Sequence, residues 1–295
     1  MTSRVVIVGD AMLDVVVRPL AAFAPTSDTP ASVRVVRGGS GANLAVAIRA
    51  VTAQALDVVF AGVVGHDAAA QIVRRDLEES GVVAHLSSLE GSTGVVVSLV
   101  GDTGERAMLT ERGVNGELTF EHVVDLFDEH LVHVHVSGYT VLDVATRVLV
   151  PRLLDAATAR GATTSVDVCS VGPLMVVGPA TFALAVRSAT MLFANEEEAL
   201  VLSGDGDVED ALETLSRQWR EVVITRGPLG ALACRDGETV TVAAQRAEVV
   251  DTTGAGDSAT GTYLAHRLAG EDVPTALTFA MAAAARVVRG LGSRG

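Results

Sequence analysis

Strand-like apolar runs alternate regularly with helix-like segments in the second half of the chain, and this alternation constrains the fold more than any other feature. The pattern predicts helices followed by strands at 121–129 and 131–136, 143–159 and 163–168, 180–187 and 189–193, and 207–219 and 221–225. Strands separated by helices pair in parallel, and a parallel sheet is covered by helices on both faces. The sequence therefore predicts a three-layer α/β/α fold with a mostly parallel central sheet. Ligands are expected beyond the carboxyl ends of its strands.

Two pairs of strand-like segments do not fit this alternation. They are 14–17 with 32–36, and 94–100 with 106–110, the second pair being joined by the turn-forming residues 102–104. We interpret the segments at about 14–36 and 94–110 as a small β-sheet that forms a lid over the site. We expect one domain, 1–295, that includes this lid.

Composition excludes several classes of function. The net charge of −14 argues against nucleic acid or an anionic membrane surface as the main partner. All 22 basic residues are Arg, which excludes the lysine of Walker-type phosphate loops and Schiff-base chemistry. Cys169 and Cys234 are far apart in sequence, and no run approaches the about 18 apolar residues of a membrane span. We therefore expect a cytoplasmic protein with reduced cysteines.

A glycine-containing turn, Asp251-Thr-Thr-Gly-Ala-Gly-Asp257, lies between a strand-like run at 247–250 and a helix-like run at 258–268. Its glycines allow backbone conformations that side chains exclude. Such a turn leaves unpaired backbone N–H groups at the start of the helix, and with the helix dipole these groups bind anions, most often phosphate. The predicted anion site is formed by Gly254, Ala255, Gly256 and Asp257.

The carboxylate of Asp257 has two interpretations. A carboxylate repels a bare phosphate, so its presence at an anion site is explained if it takes a proton from a hydroxyl that attacks phosphorus. Alternatively, Asp257 caps the helix. The residues of the turn alone leave both interpretations open.

Other polar residues lie where predicted strands end. Asp10 and Asp14 follow the first strand, and Asn43 lies in the first turn of the helix that follows Gly38 and Gly39. These side chains either bind hydroxyl groups or serve as loop and cap residues.

Two further groups lie at later strand ends. Asn195 and Glu198, three residues apart, either organise Mg²⁺ through water or form a capping box. In Thr225-Arg-Gly227, Arg226 either meets a nucleotide phosphate or lies in a surface turn. His133 and His135 alternate along one strand without a third metal ligand at suitable spacing, so packed histidines are favoured over a zinc site.

Two segments carry a family resemblance. Gly38-Gly-Ser-Gly-Ala-Asn43 and Asp251-Thr-Thr-Gly-Ala-Gly-Asp-Ser258 resemble the two signatures of the ribokinase-like (PfkB) family of carbohydrate kinases, and the match extends over essentially the whole chain. The other polar motifs follow in the family's order, at Gly9-Asp10 with Asp14, Gly113 with Asn115, Asn195 with Glu198, and Thr225-Arg-Gly227.

The resemblance implies a role for each matching residue. Asp257 is similar to the catalytic base, and the amides from Gly254 to Asp257 to the anion hole for the γ-phosphoryl group. The other implied contacts are sugar hydroxyls for Asp10, Asp14, Gly38, Gly39 and Asn43, Mg²⁺ and ATP phosphates for Asn195 and Glu198, nucleotide for Thr225 and Gly227, and a monovalent cation such as K⁺ for Asp251 and Thr253 with residues 290–293. The lid of the family often forms a homodimer contact.

These features lead to an expected activity and its alternatives. We expect ATP-dependent phosphorylation of a primary hydroxyl of a sugar or sugar derivative. Ser40 stands where ribokinases often carry Lys, which weakens ribose as the specific substrate. The alternatives are a nucleoside acceptor, although Phe23 is the only lid aromatic, a sugar phosphate, or a catalytically silent sugar or nucleotide sensor. The arginines that a sugar phosphate would use are Arg34, Arg37, Arg106 and Arg112.

Overall fold

The computed structural model describes residues 2–24, 26–52, 55–101, 106–249 and 252–289. Their strands are β1 (Ser3–Val8), β2 (Met12–Pro19), β3 (Ala31–Gly38), β4 (Leu56–Val64), β5 (Val83–Ser88), β6 (Gly94–Val100), β7 (Arg106–Glu111), β8 (Leu131–Val136), β9 (Thr163–Asp167), β10 (Met191–Asn195), β11 (Glu221–Thr225), β12 (Ala231–Arg235) and β13 (Glu238–Val242). The central sheet has the order β13-β12-β11-β10-β9-β8-β1-β4-β5. Its strands from β5 to β11 pair in parallel, and β12 and β13 add an antiparallel hairpin.

Helices cover both faces of this sheet, as the alternation predicts. They are α1 (Ser40–Thr52), α2 (Ala68–Glu79), α3 (Gly138–Leu142), α4 (Val150–Ala159), α5 (Val171–Val177), α6 (Pro179–Ala185), α7 (Glu196–Ser203), α8 (Val208–Ser216), α9 (Ala255–Leu268) and α10 (Val273–Val287). Successive side chains of β1 enter opposite cores. Val6 and Val8 pack on the side of α3 to α8, and Val5 and Ile7 on the side of α1, α2, α9 and α10.

The four strands outside the alternation form a separate sheet in the order β3-β2-β6-β7. β2 pairs antiparallel with β3 and parallel with β6, and β6 pairs antiparallel with β7. The prediction of a small second sheet is therefore confirmed. The predicted turn at 102–104 lies outside the described residues.

Two predicted helices are wrong, one in its type and one in where it begins. Residues 121–129 form only the 3₁₀ turns Phe120–His122 and Val124–Leu126, because Asp128 turns the chain by accepting hydrogen bonds from the His130 amide and from Arg4. The helix predicted at 143–159 begins at Val150, because Asp143 accepts the amides of Ala145 and Thr146 in a local turn.

Two strands also differ from the prediction. The run predicted at 247–250 forms no strand over its described residues 247–249, and Val249 is 63% exposed there without a partner strand. β5 was not predicted, because its pattern, Val-Ala-His-Leu-Ser-Ser, is polar for a parallel strand; it lies at the edge of the sheet, where one side needs no partner.

Candidate active site

A cavity of about 480 Å³ lies between the carboxyl ends of the strands and the small sheet. It is lined from the sheet side by strand ends, by the first turns of α1 and α9, and from the other side by β2, β6 and β7. The predicted site residues that line it are Asp10, Asp14, Gly39, Asn43, Asn195, Glu198, Thr225, Thr253, Gly254, Gly256 and Asp257. Gly38, Ala255, Arg226 and Gly227 are not among the lining residues, and Asp251 lies outside the described residues.

Asp257 lies in the first turn of α9 and reaches across to α1. The Ser40 hydroxyl donates to Oδ1 of Asp257 at 2.7 Å, and Nδ2 of Asn43 donates to Oδ2 at 3.0 Å. Each carboxylate oxygen therefore accepts one hydrogen bond from α1 and keeps capacity for another donor. The carboxylate is held at the cavity wall and shows no capping bond to its own helix.

The environment of Asp257 makes it a better base than an ordinary aspartate. Burial raises the pKa of Asp257, while the hydrogen bonds from Ser40 and Asn43 and the charge of Arg37 act in the opposite direction. The net shift is upward. A raised pKa strengthens proton uptake by the ionised carboxylate near neutral pH.

The start of α9 supplies unpaired amides next to this carboxylate. Gly254 precedes the helix with φ +75°, a left-handed conformation that favours glycine. The Ala255 amide donates to the Thr252 carbonyl at 3.2 Å. The amides of Gly256 and Asp257 lie in the first turn, where no carbonyl of the helix can accept them, and both residues line the cavity. These two amides are therefore the ones best placed to meet an anion.

Asp10 is held by an arginine that the sequence analysis considered only as a phosphate ligand. Arg112 donates to both carboxylate oxygens of Asp10, at 2.7 and 2.8 Å, and its third nitrogen pairs with Asp143. Asn115 donates to the Ala11 carbonyl at 3.1 Å and accepts from the Ala11 amide at 2.8 Å. The end of the small sheet is thereby tied to the loop after β1, and Asp10 is fixed at the cavity.

Asp14 and Gly38 work as a pair. A Cβ atom at Gly38 would overlap the Asp14 carboxylate, so Gly38 provides the space in which that side chain lies. Burial raises the pKa of Asp14 to about 6, with a further increase from Asp257 and a decrease from Arg37. Gly39 has φ +89°, and a side chain there would meet the Asp10 carbonyl. Gly38 and Gly39 thus shape this end of the cavity through their backbones.

At the opposite end, Asn195 and Glu198 form the capping box that the sequence left as one of two possibilities. The Asn195 side chain accepts the Glu198 amide, and the Glu198 carboxylate accepts the Asn195 amide, both at 2.9 Å. Glu198 is only 4% exposed and still lines the cavity. Burial raises the pKa of Glu198, against the hydrogen bond from the Asn195 backbone. The capping-box interpretation and the Mg²⁺ interpretation of Asn195 and Glu198 are therefore compatible.

Of the third predicted group, Thr225-Arg-Gly227, the structure places only one residue at the cavity. Thr225 ends β11 and lines the cavity. Arg226 instead pairs with Glu196 at 3.5 Å and Glu209 at 3.4 Å. Gly227, with φ +53°, begins a 3₁₀ turn. The geometry of Arg226 matches the surface-turn interpretation.

Among the lining residues that sequence reasoning missed are Tyr139, Asp167 and Cys169. Asp167 ends β9, and burial together with the charges of Glu198 and Asp257 raises its pKa well above the usual aspartate value. The predicted strand 163–168 contained Asp167 and so hid its position, although a carboxylate at a strand end is the signal that identified Asp10. Cys169 has φ +72°, and this left-handed turn is not readable from a cysteine.

The site contains oxygen ligands that suit Mg²⁺. Glu198 and Asp167 place carboxylates in the cavity, and within the described residues no three His, Cys, Asp or Glu side chains converge into a metal cage. Mg²⁺ keeps several waters and is commonly held by one or two carboxylates with substrate phosphates, so this sparse donor set fits it. His133 and His135 are fully buried in β8 and hydrogen-bonded to Thr163 and Ser165.

Comparison with known protein sequences gives consistent matches. A profile of the pfkB family carbohydrate kinases matches residues 2–295. The chain is 31% identical over 277 residues to an ATP-dependent ribose-1-phosphate kinase from Halopiger xanaduensis, covering 92% of this chain and 87% of that protein. It is 27% identical over 280 residues to a ribokinase from Bacillus subtilis, covering 90% and 85%.

Solved structures resemble the fold. An adenosine kinase from Sinorhizobium meliloti superposes with a TM-score of 0.88 at 24% identity, covering 100% of this chain and 96% of that one. A putative ribokinase II from E. coli, in complex with ATP and Mg²⁺, has a TM-score of 0.86 at 22% identity, covering 99% and 94%. At these identities the likeness shows the fold, and it confirms the predicted α/β/α architecture with a smaller separate sheet. No helix in the described part of this chain is both long and apolar enough to cross a membrane.

Proposed function

The chain belongs to the pfkB family of carbohydrate kinases, and we propose that within this family it transfers the γ-phosphoryl group of ATP to a primary hydroxyl of an uncharged sugar or sugar derivative. Membership makes it a sugar or nucleoside kinase, a phosphotransferase with an alcohol group as acceptor. The observation that carries the finer proposal is the carboxylate of Asp257, held by Ser40 and Asn43 beside the unpaired amides of α9.

In the proposed reaction, Asp257 takes the proton of the acceptor hydroxyl as that oxygen attacks the γ-phosphorus. Asp10, Asp14 and Asn43 orient the acceptor through its other hydroxyls, for which carboxylate and amide groups at this end of the cavity are suited. The amides of Gly256 and Asp257 face the charge that develops on the transferred group. Because phosphoryl transfer has little covalent chemistry for the protein to perform, positioning and electrostatic stabilisation supply most of the acceleration.

The nucleotide end holds the remaining proposed contacts. Glu198 and Asp167 would hold Mg²⁺ through its waters, and the ion would neutralise phosphate charge. Thr225 supports a nucleotide contact through its position in the cavity wall. Thr253 is the described member of the proposed monovalent-cation site, for which K⁺ is the candidate. Use of ATP as donor fits a cytoplasmic location, which we include in the proposal.

The charge of the cavity favours an uncharged acceptor over a sugar phosphate. Among its described lining residues, five carry carboxylates, Asp10, Asp14, Asp167, Glu198 and Asp257. Arg112 is the one lining cation among those residues, and all three of its guanidinium nitrogens already face Asp10 or Asp143. A phosphate group on the acceptor would therefore meet a net negative surface.

Two of the arginines considered as ligands of a sugar phosphate also favour an uncharged acceptor. Arg37 is buried with 3% exposure and donates to Asn43, and Arg34 is exposed on the small sheet outside the cavity lining. A nucleoside acceptor is disfavoured because a purine base is usually stacked on aromatic rings, and no described residue of the small sheet that lines the cavity is aromatic. The lining aromatics among the described residues are Tyr139 and Phe193, which lie outside the small sheet.

We further propose that the chain forms a homodimer through the small sheet. The face of that sheet turned away from the cavity carries apolar residues along all four strands, Val15, Val17, Val33, Val35, Val95, Val97, Leu99 and Leu109. Val33 is 57% and Leu109 is 61% exposed in the single chain. An apolar sheet face of this kind supports burial against a second copy.

The test of the activity is ADP release from ATP and Mg²⁺, with and without K⁺, across pentoses, hexoses, their phosphates and nucleosides. We expect acceptor-dependent turnover on an uncharged sugar, with kcat reduced about 10²–10⁴-fold in Asp257→Asn because the general base is lost. Asp210→Asn, an exposed change on α8, is the matched control.

Each alternative has its own outcome in this assay. Near-normal turnover by Asp257→Asn would contradict the mechanism. A higher kcat/KM for ribose 1-phosphate than for ribose would contradict the uncharged acceptor, and a preference for adenosine would select the nucleoside alternative. ATP binding without turnover on any acceptor would indicate a sensor.

A further inference from the structure

Arg37 is a buried arginine next to the site with no role in the proposed chemistry. It lies at the end of β3 with 3% exposure, and its backbone N–H donates to the carboxylate of Asp76 at 3.4 Å. Its Nη1 donates to Oδ1 of Asn43 at 2.7 Å. Burying a guanidinium costs free energy that hydrogen bonds and ion pairs must offset, and the contact with Asn43 is one of these.

The contact with Arg37 determines which way the Asn43 amide faces. A guanidinium can only donate hydrogen bonds, so the atom of Asn43 that meets it must be the carbonyl oxygen. The NH₂ group of the same amide then faces Asp257, where it donates to Oδ2 at 3.0 Å. The opposite flip would place two donors together at Arg37 and two acceptors together at Asp257.

We propose that Arg37 is a positioning residue for phosphoryl transfer: by fixing the flip of the Asn43 amide, it keeps a hydrogen-bond donor on one oxygen of Asp257. The proposal rests on the proposed function of Asp257. Ser40 holds the other oxygen independently, at 2.7 Å. The carboxylate therefore stays near its place when Arg37 is changed, and the loss is one of orientation and charge.

Arg37 also affects the charge balance around the base. The titratable and charged groups that interact electrostatically with Asp257 are Asp14, Arg37, Tyr139, Asp167 and Cys169. Arg37 is the cation in this set, and it lowers the pKa of both Asp14 and Asp257. Removing its charge should therefore raise the pKa of Asp257 further, so that the base is protonated at a higher pH.

The experiment compares Arg37→Met, Arg37→Lys and the exposed control Arg18→Met by the pH dependence of kcat/KM. We expect Arg37→Met to move the acidic limb to higher pH and Arg37→Lys, which keeps a cation, to leave it close to that of the unchanged protein. Because Arg37 also affects the pKa of Asp14, the shift of the acidic limb caused by Arg37→Met is measured in an Asp14→Asn background as well. A limb that does not move in Arg37→Met would overturn the electrostatic part of the proposal.

A double-mutant cycle tests the action through Asn43. Arg37→Met should lower kcat about tenfold alone, as expected for neighbours in one hydrogen-bond network, and have little further effect in Asn43→Ala. The proposal would be overturned if the effects of Arg37→Met and Asn43→Ala on kcat multiply independently. It would also be overturned if thermal unfolding shows that the unfolded fraction of the variant accounts for the loss of kcat. If Arg37→Met does not fold, Arg37→Gln carries the cycle, because a Gln amide can donate or accept and so does not fix the flip of the Asn43 amide. Turnover by the unchanged protein together with its loss in Asp257→Asn shows separately that the proposed function holds.

Discussion

At the scale of single residues, the buried histidines of β8 couple the fold to pH. His133 and His135 are both fully buried, and desolvation lowers the pKa of each to about 3, with a further contribution from His133 at His135. Nε2 of His135 has no hydrogen-bond partner among the described residues, so a proton there would bring an uncompensated charge into the core. Both histidines are therefore neutral in the folded protein at neutral and mildly acidic pH.

This leads to a prediction for His135→Leu. An unfolded histidine has an ordinary pKa of about 6.5, so between pH 6.5 and 3 the unfolded state binds more protons and stability falls as pH falls. Replacing His135 removes one such group. When the pH is lowered from 7.5 to 5, the unchanged protein should lose about 2 kcal/mol more of its free energy of unfolding than His135→Leu loses.

The measurement is urea unfolding at both pH values. The exposed change His66→Gln serves as the control, since its side chain is 59% accessible. Other groups with shifted pKa values contribute equally to both proteins and cancel in the comparison. A relative stability of His135→Leu that does not change with pH would mean that the imidazole is protonated or solvated in the fold.

Single residues also show how far the sequence alone can lead. The positions of Asp10, Asp14 and Asp257 at the cavity could be predicted, because each lies after a predicted strand or in the glycine turn before a helix. The proposed role of Arg37 could not be predicted, because it depends on the contacts with Asn43 and Asp257, and local spacing in the sequence does not encode how β3, α1 and α9 meet.

At the scale of elements, the packing of α1 on α9 sets the distance between the carboxylate of Asp257 and the residues that hold it. Gly261 lies in α9 where a Cβ atom would come within 2.7 Å of both the Ala47 side chain and the Leu44 carbonyl. Real Cβ atoms do not approach backbone so closely, so only glycine allows the two helices this contact. Ser40 and Asn43 at the start of α1 thereby reach Asp257.

We predict that Gly261→Ala separates the two helices. The variant should lose about 1–3 kcal/mol of stability through overpacking. Its kcat should fall beyond the effect of reduced folding, because the start of α1 shifts relative to Asp257. Thermal unfolding and kcat at a temperature where the variant is folded measure the two effects.

The control for this prediction is Gly172→Ala in α5, where an added Cβ meets nothing within 4 Å. It should leave kcat unchanged. Unchanged kcat in folded Gly261→Ala would show that the contact of α1 with Asp257 tolerates a shift of the helix.

Elements were predictable where the apolar pattern decides them and unpredictable where side chains compete with the backbone. The bounds predicted for β8 and β11 agree with the structure, because both are short runs that are buried almost throughout in the sheet. The run at 143–159 shows the same apolar character, yet Asp143 captures two amides and delays the helix to Val150. Such a local capture depends on geometry that apolar periodicity does not contain.

At the scale of the whole molecule, the small sheet has two different faces. Asp14, Val96 and Thr110 line the cavity, and the opposite face presents a cross-strand row of Val35, Val15, Val97 and Leu109. A sheet covered on one side only normally carries polar residues on the other. The apolar outer face is therefore the basis for the proposed homodimer, and assembly through this face would act on the cavity through the shared strands.

We predict that Leu109→Asp weakens this homodimer. Leu109 is 61% exposed in the single chain, and a carboxylate buried at its position against a second copy would lack a partner. In sedimentation velocity the unchanged protein should behave as twice the 30.3 kDa chain, and the variant should dissociate with a Kd raised at least about tenfold. The matched control is Val176→Asp on α5, which is 88% exposed on another surface and should remain a dimer. A monomeric unchanged protein, or equal dimerisation of both variants, would assign the apolar face of the small sheet another role.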